Sequence, residues 1–210
     1  MEAATLRTFN VETSRHALGY NLPQRVGRVL WLPMLAMALM AFPAGVVLGI
    51  IRADEITSGG AADTIAALNH VQAGVMFIGF AAVFGAISFA IARILGQFRD
   101  GGGRLQEAAG RTVETLTMPV TAKLFLGTMM MAMMVILVAV VLHFVYAADV
   151  TSAAASLELS EERFTVLEGV RRIGVAMYLV AIAFGLATIV HVLRFQSIRV
   201  RELPDEEPAR

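Results

Sequence analysis

The chain has no cysteine. That removes disulfides, thiolate-held zinc and cysteine-ligated iron–sulfur clusters from consideration. It is poorer still in internal charge: Val29–Ile51, Val71–Ala92, Leu124–Ala148 and Gly174–Leu193 contain no Asp, Glu, Lys or Arg. A charge inside hydrocarbon costs several kcal/mol, so such stretches belong in lipid, and their lack of carboxylates leaves a proton relay or cation pathway nothing to run through. There is no glycine-rich phosphate loop, no His/Glu zinc spacing and no grouping of a nucleophile with a base. Each missing motif removes a class of soluble enzyme.

What is present is apolar. The 210 residues are 57% hydrophobic, with a mean hydropathy of +0.69. Each uncharged stretch is long enough to cross a ~30 Å hydrocarbon core at about 1.5 Å per residue. These features predict an all-α integral membrane protein, a four-helix bundle in a single membrane domain, multi-pass in the cell membrane. The expected divisions are an interfacial or cytoplasmic arm over 1–28, a membrane domain over 29–194 and a tail over 195–210. Its spans are expected near 29–51, 66–95, 119–147 and 169–194. The first apolar run exceeds a signal-peptide core and lacks a convincing cleavage site, so it reads as an uncleaved span.

Zero net charge conceals an asymmetry between loops. Arg7, Arg15, Arg25, Arg28, Arg93, Arg99, Arg104, Arg111, Lys123, Arg194, Arg199, Arg201 and Arg210 fall on one side, and Arg52, Arg163, Arg171 and Arg172 on the other. The positive-inside rule then predicts both termini in the cytoplasm. Arg171 and Arg172, at an outer helix mouth, fit this least well. The basic loops serve topology and anionic lipid, so the lipid bilayer and other membrane subunits are the expected partners, and nucleic acid is not.

Local signals add detail. A short interfacial helix is expected around Val11–Leu18, and Pro43 is expected to kink the first span. Ala41, Gly45 and Gly49 form a small-residue ridge that admits a second backbone. Asp63 reads as the N-cap of the second span and Ser160 as that of a helix leading into the fourth. Gly101–Gly103 read as a flexible break. A separate interfacial helix over 104–116 is expected in the central cytoplasmic loop, with Glu107 and Arg111 paired at i,i+4.

Two features suggest chemistry. Counting from Arg93 and Lys123, His70 and His143 rise about 34 Å and about 30 Å, so on antiparallel helices they reach similar depth. Two facing imidazoles are what a b-type haem needs as axial ligands, and Gly74 would leave room for the porphyrin edge. Histidines at a headgroup boundary also serve as hydrogen-bonded structural groups, or handle quinol and protons. Met129, Met130, Met133 and Met134 form i,i+4 pairs whose thioethers suit Cu(I), although methionine more often fills irregular gaps between helices. His191 has no partner at its depth except His16 in the arm.

The functional expectation is a protein not catalytic on its own, an accessory or anchoring subunit of a larger membrane complex. The alternative is a quinol-linked electron-transfer subunit carrying haem b between His70 and His143.

Overall fold

The computed structural model describes Thr13–Ser14 and residues 19–205. The helix expected at Val11–Leu18 otherwise lies outside the described residues. In chain order come β1 (Thr13–Ser14), α1 (Leu22–Ser58), α2 (Ala62–Ala108), β2 (Thr115–Leu116), α3 (Val120–Thr151) and α4 (Leu157–Glu202), then a 3-10 turn at Leu203–Asp205. All four helices are long and apolar enough to cross a membrane. Only helices and closed barrels satisfy every backbone group in hydrocarbon without water, and the sequence takes the helical solution.

Burial along the helices is narrow. On α1, Gln24, Gly27, Ala38, Ala41 and Gly45 are buried, and on α4 Leu167, Arg171, Gly174, Tyr178, Ala181, Gly185 and Thr188. The steps on α4, alternating between three and four residues, mark the seam of side-by-side helix packing. Around that seam the helices stay apolar, with Leu39, Met40 and Val46 of α1 exposed. That pattern suits lipid, which needs no polar outer face.

The chain divides into two compact units. The first comprises Met1–Trp31, Ile87–Gly127 and Ala181–Arg210. Within it β1 pairs antiparallel with β2, Thr13 opposite Leu116 and Ser14 opposite Thr115. The start of α1 is fixed by a reciprocal capping box. The Asn21 Oδ1 accepts from the Gln24 backbone N–H at 3.1 Å, and the Gln24 Oε1 accepts from the Asn21 N–H at 3.0 Å.

The expected break at Gly101–Gly103 is corrected here: α2 runs through all three glycines to Ala108. Each glycine costs a helix up to about 1 kcal/mol, and at Gly102 close packing offsets that cost. Any Cβ on Gly102 would collide with the Gln196 amide, which donates to the Phe98 carbonyl at 3.2 Å. The helix stops at Gly110, whose φ of 66° lets the Arg111 N–H reach the Gln106 carbonyl at 2.9 Å. The separate interfacial helix over 104–116 is therefore not formed. Arg111 lies beyond the helix end, out of i,i+4 geometry, and Arg104 pairs with Asp100 at 3.0 Å instead. The segment after the turn is tied down by Gln106. Its amide donates to the Glu114 carbonyl at 3.0 Å, and its oxygen accepts from the Glu114 N–H at 2.8 Å and the Arg199 Nε at 3.1 Å.

The second unit comprises Leu32–Ala86 and Thr128–Val180. In it α1 continues without interruption past Pro33 and Pro43. The Ala41, Gly45, Gly49 ridge lies against α2: a Cβ on Gly45 would strike the Met76 side chain, and one on Gly49 would come 2.6 Å from the Gln72 amide nitrogen. Gly174 of α4 meets Ile136 of α3 just as closely, with 2.5 Å left for a Cβ. The α1–α2 turn closes with Gly59 at φ 75° and the Gly60 N–H on the Glu55 carbonyl at 2.8 Å. The α3–α4 turn is built alike on Ala153, at φ 56°.

Two caps differ from expectation. Helix α4 begins before Ser160, and Ser156 caps it, its Oγ accepting from the Leu159 N–H at 3.2 Å. Helix α2 starts at Ala62, so Asp63 sits in its first turn, accepting from the Thr64 N–H at 2.7 Å. Serine and aspartate serve as caps or as first-turn acceptors alike, and sequence does not separate one position from the next.

Candidate functional site: a buried histidine pair

Within the second unit, α2, α3 and α4 bring one polar cluster together in apolar surroundings. His70 and His143 are both buried. Their Nδ1 atoms are 3.0 Å apart, and their rings are tilted by 54° with centroids 5.3 Å apart. The Nε2 of His70 lies 3.2 Å from the Ser160 Oγ. Ser160, released from capping, thus becomes the third member of a chain linking three helices.

The hydrogens are constrained by this chain. A bond between two Nδ1 atoms needs one N–H and one lone pair. Either Ser160 donates to His70 and His70 to His143, or the whole sequence runs in reverse. In both cases the chain ends at the His143 Nε2, which is buried without a partner.

Aromatic rings wall the pair. Phe164 stands edge-on to His70 and His143 at centroid distances of 5.4 Å and 5.6 Å, and Tyr146 stands edge-on to His70 at 6.0 Å. Two guanidinium groups complete the shell. Arg163 lies 4.4 Å over the Tyr146 ring and donates to Asp149 at 2.9 Å. Arg171, only 6% exposed, lies 4.4 Å over Phe77 and 5.2 Å over Phe164. Ring faces are a tolerable environment for a buried guanidinium. That accounts for the arginine that fitted the loop asymmetry least: Arg171 turns inward onto aromatic rings. Arg172 is exposed and pairs with Glu168.

The two histidines singled out from sequence thus meet, and in this arrangement the space between their Nδ1 atoms does not fit a haem iron. Metal–imidazole bonds are about 2.0–2.1 Å long, so an ion held linearly between two nitrogens needs roughly 4 Å. Here the nitrogens are already in hydrogen-bond contact. The space imagined beside Gly74 is taken by the Phe144 ring, 3.2 Å from where a Cβ would stand. The Arg163 and Arg171 guanidinium groups lie over Tyr146 and Phe164, the rings that wall the pair, an unfavourable field for a cation. No cluster of three metal-ligating His, Cys, Asp or Glu occurs among the described residues.

The methionines divide between the packed seam and the outer surface. Met129 is buried, whereas Met130 and Met134 are each 59% exposed and point away from the packed seam. The Met130/Met134 thioether pair thus faces outward, as lipid-facing residues do. His191 is exposed on α4.

Sequence reasoning missed Ser160, Arg163, Arg171, Tyr146 and Phe164 as members of the cluster. The available signal was helical spacing: Ser160, Arg163, Leu167 and Arg171 recur every three or four residues on one face. No protein-family model, curated protein or solved structure matches the chain.

Proposed function

We propose that this protein is a non-catalytic accessory or anchoring subunit of a larger membrane complex, resident in the cell membrane with both termini in the cytoplasm. The observation that carries this reading is the closed histidine pair. The side chains best suited to chemistry are bonded to each other and to Ser160, walled by rings, and engaged in holding α2, α3 and α4 together. A group that transfers protons or electrons needs an open side facing its reactant, and here that side is filled. What remains is a helical body whose outer surface is apolar along much of its length, suited to lipid and to neighbouring membrane subunits. The excess of arginine near both termini supports the orientation.

Extraction in mild detergent followed by native mass measurement tests the assignment. The expected result is a stoichiometric complex with other chains. A solitary chain that turns over a substrate by itself would remove the proposal. A reporter fused after Arg210 that folds only outside the cytoplasm would reverse the orientation.

A further inference from the structure

The first unit holds a half-open cavity of about 150 Å³. A cavity of about that volume takes up a benzene ring, so this one has room for a ring or a short run of methylenes. Its apolar lining includes Leu95, Leu126 and Val192. Its polar side includes Arg99, Asn21 and Gln24.

The state of those three groups determines what the polar side attracts. The capping box occupies the side-chain oxygens of Asn21 and Gln24. What both amides have left to offer is their NH2 hydrogens. Among the described residues, the Arg99 Nε is buried without a hydrogen-bond partner and no carboxylate lines the cavity. The lining therefore combines a cation and amide donors with apolar side chains, in a chain with membrane-length helices. A cation with no counter-ion among the described residues, beside an apolar slot, is complementary to an oxyanion carried on hydrocarbon.

We infer that this cavity binds an anionic amphiphile, with its carboxylate or phosphate on Arg99 and the adjoining chain against Leu126 and Val192. The same chemistry can come from a free fatty acid or from an acidic phospholipid. The inference is independent of the assembly proposed above, because it needs only the isolated chain.

The test uses full-length purified protein in an uncharged detergent. It is offered an equimolar mixture of dioleoyl phosphatidylglycerol, dioleoyl phosphatidylcholine and oleate, and examined by native mass spectrometry. One phosphatidylglycerol or one oleate should be retained per chain, about tenfold or more over phosphatidylcholine, as expected for charge-assisted bonds. Retention of phosphatidylglycerol identifies phosphate as the preferred head, and of oleate, carboxylate. Arg99→Gln should bring retention down to the phosphatidylcholine level, and Val192→Phe should block the chain while leaving the charge in place. Equal retention of phosphatidylcholine, retention of nothing, or undiminished binding by either variant would overturn the inference. Should a variant fail to fold, the competition on the wild-type protein decides alone.

Discussion

Replacing His70 and His143 singly and together separates a bonded pair from two unrelated residues. Changing His70→Leu strands the His143 Nδ1, while His143→Leu strands the His70 Nδ1. A buried polar group deprived of its partner costs about 1–3 kcal/mol. For a chain of this size that corresponds to roughly 2–4 °C of Tm per kcal/mol, so each single variant should melt visibly earlier. In the double variant neither imidazole is left to be stranded, and the Ser160 hydroxyl can turn to the Ser156 carbonyl one helical turn back. Interhelical hydrogen bonds in membrane proteins are worth about 0.6 kcal/mol on average and up to about 1.7. The double variant should therefore lose less than the sum of the singles by an amount in that range. Helix content followed through thermal unfolding in detergent measures all four proteins. Additivity to within about 0.3 kcal/mol would refute the direct bond and, with it, the closed-pair reading. A reducible Soret band in the wild-type protein that disappears in both single variants would refute it differently, by making the pair a haem site.

Two further substitutions test the packing. Tyr178 is fully buried against Phe84, stacked at 5.2 Å and 17°, and its hydroxyl has no partner. Tyr178→Phe keeps the ring and removes a desolvated group costing about 1–3 kcal/mol, so Tm should hold or rise; a fall of more than about 3 °C would mean the hydroxyl is bonded. Gly174→Ala places a methyl 2.5 Å from the Ile136 Cγ1, an overpacking that should cost about 1–3 kcal/mol. Combined with Ile136→Ala, which removes the clashing Cγ1, it should cost less than the sum of the two single losses in the same melting assay, and additivity would locate the strain elsewhere.

The helices and the meeting of the histidines were legible in the sequence because both follow from quantities a single chain carries. Hydropathy reports the solvent of each stretch without reference to its neighbours, and rise per residue converts position into depth. The ridge of Ala41, Gly45 and Gly49 was legible for a similar reason, since small side chains permit close approach to any helix. The glycine run was misleading because its packing partner, Gln196, is remote in sequence, and propensity records only what a residue does alone. Ser160 was misplaced because a hydroxyl is equally apt as a cap for its own helix and as a partner for another's imidazole. The strand pair could not be foreseen from Thr115 and Leu116, which show no alternation of their own. Arg171 stood out as an anomaly, but the rings that shelter it come from two helices, and only the folded arrangement places them together.

The turns at Gly59 and Ala153 bear on how the polypeptide is made. Because α1 meets α2, and α3 meets α4, across only a few residues, each hairpin closes at small entropic cost. A nascent chain that has emerged through Ala108 already contains everything needed to seat Gly45 on Met76 and Gly49 on Gln72. Biosynthesis can thus proceed by delivering two finished hairpins into the bilayer, and the histidine bond between α2 and α3 becomes the step that joins one to the other.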